Sequence, residues 1–522
     1  MSSQTPDPAA GPTDSSAGSD TSDGSNTGDG SEARETWDVV VVGGGPPGEN
    51  AAQYAIAGSD RTAVIVEAER VGGECSFWAC MPSKALLRPV EVLAAARAVP
   101  GVPVGDTLDV DAVLARRDSF THDLDDTSQV EWATGADIDV VRGRGRLVGP
   151  RTVEVSTGGR TRTLRARHAV VLATGSTASL PDVPGLREAL PWTSRDVTNL
   201  HEVPARVAIV GGGVVACEAA VWLRALGAEV TLLVGGTTLL GRVEPFAGEL
   251  VAERFAELGI GVRRGVHVER VERPEAGPAV TGHRHGGEVT LTFDGGPLVV
   301  DEIVVATGRV PASTDLGLDA VGLRPDDLTG PGYVPTDAHQ AVVGVAGADG
   351  GWLYAVGDVT GRALLTHQGK YQARIAGAVI AARAQGRSPD GPEHRNVVDG
   401  ADGAAVPQVV FTDPQVAAVG LTRAQAEDAG LDVEVLEYDL GAVAGAALLR
   451  DGYRGHAMLV VDRAADVLVG ATFAGPEVAE LLHAATVAVV GRVPLATLWH
   501  AVPAYPTVSE VWLRLLESRG AR

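Results

Sequence analysis

From Trp37 onward, short runs of β-branched and other apolar residues alternate with alanine-rich stretches. The runs Val39 to Val42, Ala63 to Val66, Val207 to Val210 and Thr231 to Val234 are apolar at almost every position rather than at every second one, the pattern of strands covered on both faces. Separated by helical segments, such strands predict an α/β architecture with parallel sheets. The pattern changes after Asp390: Gly391 to Ala405 is rich in Gly, Asp and Pro and reads as a linker. Beyond it, the apolar runs Val409 to Thr412, Ala457 to Val461 and Val467 to Phe473 join helical stretches at Pro476 to Val490 and Val508 to Leu516, which predicts a separate α+β domain. At the other end, residues 1–36 are mostly Ser, Gly, Asp, Thr and Pro, with almost no large apolar side chain. Such a segment cannot bury enough surface to offset the entropy of ordering, and it is expected to be a disordered tail. It has neither the basic-flanked apolar core of a secretory signal nor the Arg-rich, acid-poor make-up of a transit peptide.

Composition narrows the partners. No run approaches the ~20 apolar residues of a membrane span, so no membrane association is expected. The net charge of -24, from 43 basic and 67 acidic residues, opposes contact with phosphate backbones, and nucleic acid is not an expected partner. Three cysteines in 522 residues exclude a disulfide-stapled secreted scaffold; a close pair among them reads as redox chemistry in a reducing, cytoplasmic setting.

Two glycine signatures lie about 170 residues apart. Gly43-x-Gly45-x-x-Gly48 follows the strand Asp38 to Val42 and opens a helix through Ala51 and Ala57. Glycines there let the backbone turn tightly and approach a pyrophosphate, which sits on the free amides of the helix N-terminus. Glu67 closes the next strand, nineteen residues after Gly48, where a carboxylate accepts from a ribose hydroxyl. The second signature, Gly211-x-Gly213-x-x-Ala216, follows Val207 to Val210, with Ala in the third place. Its next strand ends in Val234-Gly235-Gly236, so the ribose-binding acid is absent, and no arginine occupies the adjacent positions to hold a 2'-phosphate. Both NADPH and NADH stay open, with the missing acid favouring NADPH. Arg242, a few residues on, reads as a solvated surface arginine more than as a phosphate ligand.

The stretch Gly72-Gly73-Glu74-Cys75-Ser76-Phe77-Trp78-Ala79-Cys80-Met81-Pro82-Ser83-Lys84 carries the cysteine pair, and Ala85, Leu86 and Leu87 continue it as a helix. A thiol in the first turn of a helix is drawn toward thiolate, the form that exchanges with disulfides. No His or further Cys lies nearby in sequence to complete a zinc set, so no metal is expected. Cys217, inside an apolar helix, reads as a small core side chain.

These residues resemble the class I pyridine nucleotide-disulfide oxidoreductases, which include dihydrolipoamide dehydrogenase, glutathione reductase and mercuric reductase. The resemblance also takes in Ala173-Thr174-Gly175 and its echo Ala306-Thr307-Gly308, Tyr354-Ala355-Val356-Gly357-Asp358 and Val410-Phe411-Thr412-Asp413-Pro414, and it runs from Trp37 to Glu517. It implies two Rossmann-like dinucleotide-binding domains, for FAD and NAD(P), plus a C-terminal α+β dimerisation domain. The FAD-binding domain would span residues 37–186 and, with the linker, 313–400; the NAD(P)-binding domain would span 187–312 and the dimerisation domain 401–522. It further implies that Cys80 is the charge-transfer thiolate beside the flavin, that Cys75 is the interchange thiol, and that Lys84 lies by flavin N5 and pairs with Glu218. Asp358 would bind the ribityl chain. An obligate homodimer is implied, the last segment of one subunit completing the site of its partner.

One position breaks the pattern. Disulfide-reducing members end in a His-Pro step with a Glu four residues after the Pro, and this chain reads Ala504-Tyr505-Pro506-Thr507-Val508-Ser509-Glu510. A phenol, protonated at neutral pH, is a poor general base. His500 lies five residues upstream with the wrong spacing to Glu510. Tyrosine at this place is a feature of mercuric reductases, yet Leu516 to Arg522 has no vicinal cysteines and the tail no Cys-x-x-Cys module. The bulky Phe77 and Trp78 between the cysteines are expected to narrow access to Cys75. The leading expectation is an FAD enzyme passing electrons from NAD(P)H through Cys75 and Cys80 to a disulfide or other small oxidised substrate. Reduction of a quinone or of mercuric ion, and a retired dimeric scaffold, are the alternatives.

Overall fold

The computed structural model describes residues 35–345, 351–398 and 405–520. The tail expected over residues 1–36 lies outside them except for Glu35 and Thr36, and so does most of the second half of the linker. Thr36 already begins the first strand, Thr36–Val42, whose Val39, Val40 and Val41 are fully buried. That strand sits between Ala63–Glu67 and Arg160–Leu172 and runs parallel to both, with Ile138–Arg142 parallel at the outer edge. The strands Thr152–Thr157 and Arg144–Gly149 extend the sheet as antiparallel neighbours of Arg160–Leu172. A segment far along the chain, Leu353–Ala355, joins the same sheet by pairing in parallel with Val170, Val171 and Leu172.

Covering this sheet, the helix Pro46–Ile56 packs closely on the helix Thr366–Ala384. Glycines allow the approach: a Cβ on Gly369 would lie 2.6 Å from Pro47 Cγ, and one on Gly377 would lie 2.5 Å from Tyr54 Cβ. A methyl group at either place would push the helices apart, since close-packed interiors have no room to absorb it.

A second, four-stranded parallel sheet follows the order Gly261–Arg264, Glu229–Val234, Arg206–Val210, Glu302–Val305. The chain leaves the first sheet's region for the second through Ser176–Ala178 and returns through Arg309–Pro311, and these two short strands pair antiparallel. In the chain, between Gly261–Arg264 and Glu302–Val305, lies a three-stranded antiparallel sheet of Arg270–Glu272, Val289–Thr292 and Leu298–Val300. The C-terminal region is an antiparallel sheet ordered Gln408–Val410, Gln415–Gly420, Val467–Gly475, His456–Asp462, Val433–Asp439. Helices Leu482–Val490 and Val511–Ser518 close its core around Leu459, Phe473 and Leu515. Its outer surface keeps apolar side chains in water: Leu448, Val487, Trp499 and Val502 are all exposed. The α/β class with a terminal α+β region is thus the observed architecture. Among the described residues no helix is long and apolar enough to cross a membrane.

Candidate active site

Both glycine signatures fold in the same way, and the two Ala-Thr-Gly segments explain why. At Gly43, with φ +107, a Cβ would stand 2.3 Å from the carbonyl oxygen of Ala173. At Gly211, with φ +132, it would stand 2.3 Å from that of Ala306. Each Ala-Thr-Gly strand end therefore closes against the first glycine of its signature, and no L side chain fits between them. The third positions differ: Gly48 leaves no space, since its Cβ would meet Gly43 O at 1.9 Å, whereas Ala216 is accommodated and fully buried.

Gly43, Glu67 and Thr174 line a cleft of about 400 Å³ together with Gly145 and Thr314. Glu67 Oε2 accepts from the Gly44 amide at 2.7 Å and Oε1 from the Glu69 amide at 2.7 Å, so the carboxylate first fixes the glycine loop, and each oxygen retains a lone pair for a hydroxyl. Gly45, the N-cap of the first helix, abuts Gly73, whose Cβ would lie 2.9 Å from Gly45 Cα. Gly175 lies at the chain's exit toward the second sheet, its carbonyl accepting from the Ala312 amide at 3.0 Å. Gly357 rests against Pro47 and donates to Gln372 Oε1 at 2.7 Å. Asp358 accepts from Ser176 Oγ, which in turn accepts from Arg309 Nε at 2.6 Å. Burial raises the Asp358 carboxyl, opposed by Ser176 and Arg309. Gln368, buried in the first turn of the helix Thr366–Ala384, has no partner for its Nε2 among the described residues. A dinucleotide carrying hydroxyls and ring carbonyls fits this set: a glycine turn closed to any side chain, a half-used acid, a half-buried carboxyl and a buried amide donor unpaired among the described residues.

The second cleft, of about 900 Å³, is lined by Gly211, Gly213, Gly236, Arg242, Gly308 and Arg309. Arg242 is exposed, as a solvated arginine should be, and still faces this cleft. Ala216 lies behind it in the helix Val214–Ala225.

Cys75 sits in the short helix Gly73–Phe77 and Cys80 opens the long helix Cys80–Arg97. Both are free thiols that act on one another, and the Thr366 hydroxyl lies 3.3 Å from Cys80 Sγ. The Cys75 thiol, helped by Thr366 and by the charge on Lys84, lowers Cys80 to about 6 against the cost of burial. The Cys80 sulfur and burial push Cys75 up. The first proton therefore leaves Cys80. One turn further on, Lys84 Nζ meets Glu218 Oε2 at 2.7 Å, 4.8 Å from the centre of the Phe411 ring. Glu218 is buried, and its other oxygen accepts from the Phe411 amide at 2.9 Å. Cys217, next to it, is buried with its thiol donating to Gly212 O at 3.6 Å, a packing role.

The expectation for Phe77 and Trp78 is corrected. Both rings are buried in the domain, Trp78 between the guanidinium groups of Arg70 and Arg195 at 5.4 and 5.0 Å. They anchor the cysteine segment from behind, where Thr198 Oγ1 donates to Trp78 O and Asn199 Nδ2 to Phe77 O.

Tyr505 and Glu510 are not brought to the cysteines within one chain. Tyr505 is 75% exposed on the C-terminal region and hydrogen-bonded to neither cysteine. Glu510 is buried, with Oε1 held by Arg514 at 2.6 Å and Oε2 unpartnered among the described residues. Sequence reasoning missed Thr366, Gln368, Ser176 and Arg309. Thr366 had a signal, since it opens a helix just after Gly357-Asp358. Among the described residues no cluster suited to a metal ion occurs.

The profile described as pyridine nucleotide-disulphide oxidoreductase matches residues 37–386, and that of the corresponding dimerisation domain matches residues 406–515. Dihydrolipoyl dehydrogenase of Chlamydia muridarum is 31% identical, over 92% of this chain and 96% of that protein. Glutathione reductase of Burkholderia cepacia is 30% identical over 92% and 99%, and mercuric reductase of Shigella flexneri 31% over 90% and 79%. Among solved structures, LpdA of Mycobacterium tuberculosis superposes with a TM-score of 0.77 at 23% identity, covering 92% of this chain and 99% of that one. The HOCl-induced flavoprotein disulfide reductase RclA of Escherichia coli gives 0.75 at 22%, over 92% and 99%, a likeness of fold.

Proposed function

This chain belongs to the class I pyridine nucleotide-disulfide oxidoreductases, flavin-dependent enzymes that use NAD(P)H, and on that footing we propose that it reduces small disulfides at the expense of NADPH through Cys75 and Cys80. The observation that carries this reading is the thiol pair beside the Thr366 hydroxyl, with Lys84 held one turn on, and with one thiol lowered to about 6 and the other raised. Such a pair divides the labour: Cys80 holds the charge and Cys75 keeps a proton until it meets substrate. Gly43, Glu67, Thr174, Asp358, Gln368 and Lys84 would hold FAD, which when bound carries two electrons from the nicotinamide to the cysteine pair. Glu218 keeps Lys84 paired, which an isolated ammonium in such a place would require. The matched dimerisation domain and the exposed apolar surface around Trp499 and Val502 support a homodimer, in which Tyr505 of each subunit serves the partner's thiols. A reducing cytoplasm suits a chain whose close cysteine pair works by exchange.

Anaerobic titration tests the reading: NADPH should bring up a long-wavelength absorption band as Cys80 becomes a free thiolate, and NADH should require a higher concentration. Arg242→Ala should weaken NADPH binding by roughly tenfold to a hundredfold, the loss of one charge-assisted contact, and leave NADH where it was. Equal losses for both nucleotides would remove Arg242 from the 2'-phosphate.

A second reading, in which a quinone or another flat acceptor takes the electrons, is favoured by Tyr505. If a missing base is what limits disulfide turnover, Tyr505→His should raise it by roughly tenfold to a hundredfold, within the range of general acid–base catalysis. The buried, unpartnered Oε2 of Glu510 is available to orient the new imidazole. An unchanged rate would speak for the flat acceptor.

A further inference from the structure

Cys75 is carried on a single turn. The helix Gly73–Phe77 has five residues, opens on Gly72 with φ +105 and has no side-chain cap. Its closing hydrogen bond runs from the Trp78 amide to Glu74 O at 2.8 Å, so Glu74 and Trp78 are the two ends of the turn and Cys75 stands one residue inside it. One turn supplies too few hydrogen bonds to fix its own shape in water, and the groups packed outside it decide where the sulfur stands.

Arg195 is the side chain that touches both ends. Its Nε and Nη2 reach Glu74 Oε1 at 2.6 and 2.5 Å, and its guanidinium lies 5.0 Å from the centre of the Trp78 ring. At the far end Thr198 and Asn199 add their grip on the Trp78 and Phe77 carbonyls. At the Glu74 end no such help exists: Oε2 has no hydrogen-bond partner among the described residues, and Arg309 Nη2 stands 3.6 Å away, itself committed to Ser176 O at 2.6 Å. Arg195 is braced in its turn. Its Nη1 meets the two Glu69 oxygens at 3.2 and 3.0 Å, and its amide donates to Thr193 Oγ1 at 3.3 Å, within the capping box that Thr193 and Asp196 form on Ser194–Thr198. Holding two carboxylates and an indole at once is work for a planar fork, and an ammonium cannot replace it.

We propose that Arg195 is a positioning residue for disulfide reduction: it holds the turn that carries Cys75 so that one sulfur can be reached both by substrate and by Cys80. The proposal rests on the reductase reading above. In the reaction the Cys75 sulfur bonds one substrate sulfur as the substrate S–S bond breaks, and the other substrate sulfur leaves with the Cys75 proton as a thiol. Cys80 thiolate then attacks the Cys75 sulfur, forms the Cys75–Cys80 bond and expels the second substrate sulfur as a thiolate, which water protonates. Two electrons pass from the cysteines to the substrate, and NADPH restores the dithiol. Cys75 takes part in both bonds made, and a misplacement of about 1 Å between reacting groups costs on the order of 100-fold. Arg195 acts on this geometry through Glu74 and Trp78.

The test compares Arg195→Met with the parent as flavin-replete protein, using hydroxyethyl disulfide, a small uncharged probe, and naphthoquinone, which takes electrons at the flavin. The ratio of disulfide to naphthoquinone turnover should fall about 100-fold. Equilibration with dithiothreitol, read by alkylation and mass spectrometry without turnover, should show the Cys75–Cys80 disulfide roughly tenfold easier to reduce, because its closure is an intramolecular step that depends on how the sulfurs are held. Glu74→Leu should change both quantities in the same direction, and the double variant should lose no more than Arg195→Met alone, since Glu74 acts through the same contact. Arg195→Lys, which keeps a cation for Glu74 without the fork, should recover part of the ratio; with Glu74→Leu it carries the same measurements if Arg195→Met does not fold. An unchanged ratio, an unchanged dithiothreitol equilibrium, or losses that add in the double variant overturn the proposal. The underlying reading fails separately: it falls if Cys75→Ser still reduces the probe, whereas a dead Cys75→Ser beside an unaffected Arg195→Met overturns the role of Arg195 alone.

Discussion

Cys75→Ser protein, purified with its flavin, should reduce disulfides at least ~10³-fold more slowly than the parent, the scale on which an attacking nucleophile is missed. Naphthoquinone reduction should persist, because an acceptor that takes electrons at the flavin has no use for an exchanging sulfur. The same protein should show the long-wavelength band before any reductant is added. Its Cys80 has no sulfur to pair with, and Thr366 and Lys84 still favour its charged form. The band should be lost on acidification, since lowering the pH returns the proton to Cys80. Persisting disulfide turnover would end the exchange mechanism; absence of the band would remove Cys80 from the flavin.

Lys84→Met should destabilise the protein by roughly 3 kcal/mol, the low end for stranding one partner of a buried ion pair. Glu218 has only 4% of its side chain exposed and would keep a single donor, the Phe411 amide. Lys84 is 37% exposed, which is why the smaller figure applies. Denaturant unfolding, read by the flavin and by the peptide signal together, measures the loss. Replacing both partners, Lys84→Met with Glu218→Leu, should recover most of the stability, because two apolar groups of similar size leave no orphaned charge. It should leave the band at neutral pH weaker than in the parent, since one of the groups that favour the Cys80 thiolate is gone. If the double variant is as unstable as the single one, the pair is not the source of the cost.

The elements that were legible in the sequence are those whose signal is local. Val39 to Val42 announces a two-sided strand by its own side chains, and each glycine signature names its turn because no larger residue fits there. The Lys84 and Glu218 pairing was implied by resemblance alone, 134 positions apart in the chain. Other features depend on side-chain direction. Phe77 and Trp78 looked like obstacles at the thiols, and two guanidinium groups on Arg70 and Arg195 draw the indole inward instead. Thr366 reaches Cys80 across 286 positions, from the first turn of the helix Thr366–Ala384, and no local pattern announces that contact.

The paired strands Ser176–Ala178 and Arg309–Pro311 form a neck: everything from 179 to 308 hangs from a single narrow stalk. A stalk alone would let that lobe swing. Thr198 and Asn199, borne on the lobe's own chain, grip the backbone behind Phe77 and Trp78, and Glu218 holds Lys84 and the Phe411 amide, so the lobe is tethered at both ends of the cysteine segment. Any rotation of the lobe about its stalk must either break those contacts or drag the segment that carries the two sulfurs along with it.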